Sequence, residues 1–297
     1  MTMWRTIRGT DLRFNAIGLG AMPLSIAGRP TEDEAEKVVS RFVDLGGNFI
    51  DTANVYCLDD GDIGHNERLI ARALKSLGKG KGKGKGKDEV VVATKGGLRR
   101  PRGDWKVDGT PQWLRASCEK SLNDLGIDCI GLYQLHAVDP QVGLRDSIEE
   151  LVRLKDERMV RHVGLSNVTL EQVRMALDRA PIVSVQNRCN LLEKRDFRNG
   201  LIDFCREQGL TYIAHSPVGG HYGHLRLSDI PLLIDLAGKY ARSTYVIALA
   251  WLLAKGEHIL PIPGASKLRS VEDSLQAVTV TLTEEDVAAI DRLPEGG

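Results

Sequence analysis

Short apolar runs of strand length recur along this chain, separated by longer segments in which apolar residues return every three or four positions. The runs cover residues 16–20, 48–52, 90–94, 130–135, 161–165, 182–185, 211–214 and 258–262, eight in all. None alternates cleanly between polar and apolar, as expected of parallel strands buried on both faces. The intervening segments carry helix signals. Thr31-Glu32-Asp33-Glu34 is a capping box ahead of a helix over 35–45, which Gly46-Gly47 stops. Thr110-Pro111 opens a helix that runs to Leu125 and ends at Gly126. Thr169-Leu170-Glu171-Gln172 and Thr283-Glu284-Glu285-Asp286 open two more.

Eight strand–helix units in 297 residues, slightly more than the roughly 250 usual for the fold, predict a (β/α)8 TIM barrel forming one domain over 1–297. An open doubly wound sheet instead wants Gly-x-Gly-x-x-Gly after its first strand, and Gly18-Leu19-Gly20-Ala21-Met22-Pro23 lacks the third glycine. Residues 4–14 read as a short β-hairpin around a glycine turn, placed at the bottom of the barrel. The run 78–87 alternates Gly and Lys between a helix and the third strand. Glycine's entropy and the like charges predict a flexible, solvated loop, again at the bottom.

Composition narrows the class further. With 42% apolar and 27% charged residues the chain resembles an ordinary globular protein with a sizeable core. Forty basic residues balance forty acidic ones. Without the five lysines of the Gly-Lys run, 35 stand against 40, so the barrel proper is mildly acidic. Global attraction to nucleic acid or to an anionic membrane is not expected. No run of about 18 apolar residues suits a membrane span, and the first residues lack the pattern of a signal peptide. Five scattered cysteines without a C-x-x-C pair favour neither disulfides nor a metal site, and a cytoplasmic location is expected.

Barrel chemistry gathers at the carboxyl ends of the strands. There the second run ends in Asp51 with Tyr56 five residues on, the third in Lys95 and the fourth in His136. A tyrosine's ordinary pKa of about 10 is too high for ready proton exchange at neutral pH. An adjacent ammonium is expected to lower it, and a carboxylate behind the ammonium to hold that charge in place. Asp51, Lys95 and Tyr56 thus compose a tuned general acid/base, with His136 orienting a substrate oxygen. A tyrosine acid above a carbonyl is what hydride delivery requires.

Three segments carrying these residues resemble the aldo-keto reductase family. They are Gly46-Gly47-Asn48-Phe49-Ile50-Asp51-Thr52-Ala53-Asn54-Val55-Tyr56, the block from Leu122 through Leu125-Gly126-Ile127-Asp128 to Gln134-Leu135-His136, and Arg161-His162-Val163-Gly164-Leu165-Ser166-Asn167. The resemblance implies a (β/α)8 barrel using NAD(P)H without a Rossmann fold, and an Asp51, Tyr56, Lys95, His136 tetrad. It also implies that Ser166, Asn167 and Gln186 hold the nicotinamide carboxamide. His215 stands where the family usually has an aromatic residue before Ser216-Pro217-Val218. Gly20, Ala21, Met22, Asp51, His215, Ser216, Pro217, Val218, Ile262, Gly264, Ser266 and Asp273 join the implied cofactor set. The family's usual phosphate-clamping positions hold Gly264-Ala265 and Ser270 here, while Lys267 and Arg269 stand at the opening of a helix. A helix N-terminus with two cations suits a 2′-phosphate, so NADPH is expected rather than NADH. Met22, Cys57, Trp105 and Ala137, from loops beside the tetrad, are expected to wall the substrate pocket. The expected substrate is a small carbonyl compound or alcohol, and the expected assembly a monomer or homo-oligomer. Two other readings remain: a barrel lyase forming a Schiff base on Lys95, and a cofactor-binding regulatory subunit resembling the potassium-channel β-subunits.

Overall fold

The computed structural model describes residues 3–79 and 90–295. Most of the expected Gly-Lys loop, residues 80–87, lies outside the described residues. The chain opens with strands β1 (Trp4–Thr6) and β2 (Arg13–Asn15), paired antiparallel as the expected hairpin. Next come β3 (Leu19–Gly20), helix α1 (Glu32–Asp44), β4 (Phe49–Asp51), α2 (His65–Ser76) and β5 (Val91–Gly96). A small antiparallel pair, β6 (Leu98–Arg99) and β7 (Lys106–Val107), sits in the following loop. Then follow α3 (Pro111–Leu125), β8 (Ile130–Leu135), α4 (Leu144–Asp156), β9 (Val160–Ser166), α5 (Leu170–Leu177) and β10 (Ile182–Arg188). After α6 (Arg195–Arg198) and α7 (Leu201–Gln208) come β11 (Thr211–His215), α8 (Gly220–Gly223), α9 (Pro231–Tyr240) and α10 (Thr244–Ala254). The chain finishes with β12 (Ile259–Ile262), α11 (Leu268–Leu275) and α12 (Glu284–Asp291).

Eight parallel strands pair in the order β12-β11-β10-β9-β8-β5-β4-β3, and the helices surround them as a TIM barrel. The seam between β3 and β12 is closed by the Gly18 and Gly20 amides, which donate to Pro261 O and Pro263 O at 3.0 Å each. A Cβ on Gly20 would lie 2.8 Å from the Ile262 carbonyl, so the seam closes only with glycine there. All eight apolar runs became strands. The first shortened to Leu19–Gly20, and the third extended to Gly96, which draws Lys95 inside the sheet.

The local helix signals operate as their chemistry requires. Thr31 Oγ1 accepts from the Glu34 amide while Glu34 accepts from the Thr31 amide, and Thr169 and Gln172 do the same at α5. Gly126 ends α3 in the left-handed region at φ 65°. At the bottom of the barrel Ile7, Leu12 and Phe14 of the hairpin pack among Phe49, Ala93, Leu132, Ile213 and Leu260, all buried strand residues. The hairpin therefore plugs the barrel floor, and chemistry is left to the opposite rim.

One buried group behind the sheet gives the fold a pH dependence. Glu67 on α2 is fully buried and accepts from the Thr94 hydroxyl of β5 at 2.5 Å, leaving Oε2 without a partner. Burial, outweighing the hydrogen bond from Thr94 and the influence of the Ser121 hydroxyl, pushes its carboxyl up to about 7. Between about pH 4.5 and 7 the folded chain holds a proton that the unfolded chain has released, so stability falls as pH rises through that window. The full change is about 3 kcal/mol. Glu67→Gln keeps an acceptor for Thr94 and removes the titration. Urea unfolding at pH 5 and pH 8 is expected to show the wild-type loss and a flatter profile in the variant. Equal slopes for both would exclude Glu67 as the cause.

Candidate active site

The strand ends bring four side chains together. Asp51 closes β4, Lys95 is the penultimate residue of β5, His136 follows β8, and Tyr56 stands in the loop after β4. Parallel pairing of β4 with β5 and of β5 with β8 sets the first three side by side around the rim. All four are buried, Lys95 completely.

Lys95 Nζ donates to Asp51 Oδ2 at 2.6 Å, to the Thr52 carbonyl at 2.9 Å and to Tyr56 OH at 3.0 Å. An ammonium has three protons and no lone pair, so these bonds exhaust it. The Tyr56 oxygen is therefore an acceptor from Lys95, and its own proton is free for another oxygen. Burial pulls the Lys95 ammonium down, but Asp51 and Tyr56 raise it further, and the net direction is up. Lys95 stays charged.

The tyrosine departs from the sequence expectation. Lys95 lowers the phenol, as anticipated, yet burial raises it more and the Asp51 charge adds to the rise. The net direction is upward because burial outweighs the ammonium, and Asp51 offsets part of what the ammonium contributes. Tyr56 is thus a neutral phenol at pH 7, the form able to donate a proton. Burial, with Lys95 and His215 adding, drives His136 well below the usual histidine range. Its neutral imidazole has one N–H to donate, and Nδ1 lies buried without a partner among the described residues.

A second polar layer lies inside the barrel. Gln186 on β10 donates through Nε2 to Asp51 Oδ1 at 2.7 Å, completing the carboxylate's coordination opposite Lys95. The same nitrogen lies 3.4 Å from Gln134 Oε1 on β8. Gln134 is buried with its own Nε2 unpartnered. It escaped the sequence reading, although a glutamine in an otherwise apolar strand was a usable signal.

The other expected residues fall into groups. Ser166 ends β9, and Asn167 follows it at φ 56°, donating to the His136 carbonyl at 2.9 Å and to Ser166 Oγ at 3.1 Å. His215 ends β11, and Ser216 follows it at φ 53°. Two non-glycine residues in the left-handed region, at two strand ends of one rim, mark stored strain of the kind found at binding sites. Asn167 Oδ1, Gln186 Oε1 and the Ser166 hydroxyl remain for a ligand, and this mixture of acceptors with a donor fits a carboxamide. His215 is drawn down to about 3, chiefly by burial and then by Lys95 and Arg188, so it is a neutral ring. Pro217 and Val218 continue from Ser216. Gly20 and Ala21 lead from β3 to Met22, and the Ala21 amide donates to Asp51 O at 2.9 Å.

Past Ile262, the end of β12, Gly264 pairs with Gly20 across the seam. Ser266 is half-buried, while Lys267 and Arg269 are exposed at the opening of α11. Asp273, one turn into that helix, accepts from the Ser243 hydroxyl at 2.6 Å, which ties α11 to α10.

On the open side Met22 and Ala137 pack against the cluster of Ala53, Val55, Tyr56 and Leu98. Trp105, 49% exposed, presents its ring edge-on to Tyr56 at 6.3 Å and to His136 at 6.5 Å, with the Arg100 guanidinium 3.9 Å from its centre. Cys57 differs from these three. It is wholly buried with Sγ turned to the Val55 carbonyl, and burial pushes its thiol up to about 11, so it offers no surface to the mouth of the site. Among the described residues no cluster suits a metal ion, and no helix is long and apolar enough to cross a membrane.

The structure is thus a parallel barrel whose carboxyl rim carries a buried, hydrogen-bonded Asp51-Lys95-Tyr56 chain and a neutral His136. The Aldo/keto reductase family model matches residues 16–295, and the chain belongs to that family. Family members are oxidoreductases that use nicotinamide cofactors. An uncharacterized oxidoreductase of Schizosaccharomyces pombe is 34% identical over 292 residues, covering 96% of this chain and 89% of its own. A probable aldo-keto reductase of Glycine max is 31% identical, covering 92% and 84%. Among solved structures, an aldo-keto reductase from Bacillus halodurans in its holo form superposes with a TM-score of 0.79 at 26% identity, covering 98% of this chain and 96% of that one. A glycerol dehydrogenase from Gluconobacter oxydans, at 24% identity and a TM-score of 0.82 over 97% and 94%, shares the fold.

Proposed function

We propose that this protein is an NADPH-dependent carbonyl reductase, or the same catalyst run as an alcohol dehydrogenase, with Tyr56 as the general acid/base. The observation that carries this reading is the saturation of Lys95, which leaves the Tyr56 proton as the mobile one. When bound, the reduced nicotinamide supplies hydride to the carbonyl carbon. The chain supplies everything else. His136 donates its one N–H to the carbonyl oxygen and turns that oxygen toward Tyr56. Tyr56 passes its proton to the same oxygen as negative charge accumulates there. Lys95 steadies the phenol oxygen left behind, and Asp51, braced by Gln186, keeps Lys95 charged. Met22, Trp105 and Ala137 form the wall that shields this exchange from water.

Ser166, Asn167 and Gln186 are the residues that would hold the carboxamide, His215 the ring face, and Lys267 with Arg269 the 2′-phosphate. The saturated, charged Lys95 argues against a Schiff-base lyase, which needs a free amine. The intact tetrad argues against a regulatory subunit without turnover.

The test is loss of reduced-nicotinamide absorbance across a panel of aldehydes and ketones. Turnover with NADPH is expected, and a protein that binds NADPH tightly yet turns over none of the panel would overturn the reading. Replacing both Lys267 and Arg269 with alanine is expected to weaken NADPH binding about tenfold to a hundredfold while sparing NADH, as measured by fluorescence titration. Unchanged NADPH affinity would remove these two residues from the phosphate site.

A further inference from the structure

A cavity of about 520 Å³ opens at the end of the barrel opposite the tetrad, between the N-terminal hairpin and the loops that lead into β11 and β12. Its wall carries four guanidinium side chains, Arg5, Arg8, Arg13 and Arg206, against a single carboxylate, Glu257. The histidine in the same wall, His258, is held below its usual range chiefly by burial and carries no charge at neutral pH. This excess of cations lies in a chain with no net charge, on the floor of a barrel whose chemistry is at the top.

The cations are also held in place, and two of the four have no carboxylate partner among the described residues. Arg8 runs across Gly209, where a Cβ would come within 2.5 Å of Arg8 Cδ, so the bare glycine surface lets its side chain lie along the wall. Gly209 ends α7 at φ 70°, a conformation that itself favours glycine. Arg13 lies over the Trp4 indole at 5.0 Å. Among the described residues neither Arg8 nor Arg13 has a carboxylate within ion-pair distance. Arg206 is paired with Asp203 at 2.7 Å, but both are exposed, and such a pair is cheaply exchanged for another anion. Arg5 is 8% exposed and donates to the Ile259 and Gly256 carbonyls, while its Nε is buried without a partner. Burial draws this guanidinium down to about 10, against the opposing pull of Glu257, so a positive charge stands there without full compensation.

We propose that this cavity binds a compact, multiply charged oxyanion, the pyrophosphate or triphosphate group of a small molecule, gripped by Arg8, Arg13 and Arg206 with Arg5 beneath them. The volume falls in the range of small-molecule pockets. Guanidinium groups match phosphate oxygens by paired N–H donation, which a lysine patch does not reproduce. Because the arginines come from the hairpin and from the barrel, the ligand ties the floor plug to the strands it closes.

The experiment is calorimetric titration of the full chain with inorganic triphosphate at constant ionic strength. Saturable binding is expected, weakened at least tenfold by Arg8→Gln with Arg13→Gln and, separately, by Arg206→Gln. Reductase turnover of these variants is expected to be unchanged. Binding is also expected to be unaffected by serine replacements of the five Gly-Lys lysines and by alanine at Lys267 and Arg269. Absence of saturable binding would overturn the proposal. So would loss of binding in the Gly-Lys or Lys267/Arg269 variants with retention in the arginine variants. Tighter binding of a glutamate-rich peptide or of single-stranded DNA than of triphosphate would replace the small molecule with a macromolecular partner and equally overturn it.

Discussion

Tyr56→Phe is expected to lower kcat for carbonyl reduction by about a hundredfold to ten-thousandfold, the range of a lost general acid. The ring is kept, so the edge contacts with Trp105 and His136 survive, and the phenol proton alone is removed. Affinity for reduced cofactor is expected to stay at the wild-type value, because the hydroxyl's protein partner is Lys95. Steady-state rates with a fluorescence measurement of cofactor affinity separate the two effects. The pH profile adds a second check. The phenol lies above its ordinary value, so it holds its proton through neutral pH and reduction should not decline until pH passes above the usual tyrosine range. A variant that reduces carbonyls at the wild-type rate would exclude Tyr56 as the acid.

Lys95→Met is the second large expectation, and it concerns stability as well as rate. The substitution leaves the Asp51 carboxylate almost fully buried with Gln186 Nε2 as its remaining side-chain partner. Breaking a buried ion pair from one side costs about 3–5 kcal/mol, much of it the cost of an uncompensated charge. Adding Asp51→Asn removes that charge and is expected to restore much of the loss while activity stays abolished. Urea unfolding of the wild type, both single variants and the double variant measures the coupling. Additive losses would mean that the pair does not act as a unit. Stability and catalysis part company here: the double variant tests whether the relay is costly to hold together, and Tyr56→Phe tests what the relay is for.

Much of this architecture was legible from local chemistry. Strand-length apolar runs became strands because residues such as Val91, Ile130 and Val163 are covered on both faces whatever their partners. The capping boxes at Thr31 and Thr169 and the stop at Gly126 need only neighbouring residues, and each formed as its sequence implies. Asp51, Lys95 and His136 could be found because a barrel places strand ends on one rim, so position in the repeat substitutes for position in space. Residues whose role depends on distant partners were harder to find. Gln134 gains meaning only beside Gln186, 52 residues away. Cys57, next to Tyr56 in the chain, turns inward while Trp105, far from it, comes to the rim. The arginines of the floor cavity come from segments up to about two hundred residues apart and show no local pattern.

By itself the sequence determined the eight-unit barrel, the hairpin beneath it and the identities of the four groups on its rim. Each of those rests on short-range propensity or on the repeat. Only the tertiary structure decided the protonation states. Desolvation depends on everything within several ångströms, so the lysine lowers its tyrosine as expected but burial outweighs it and the phenol keeps its proton. It was likewise only the assembled fold that brought Arg5, Arg8, Arg13 and Arg206 into one cavity wall at the floor of a chain with no net charge.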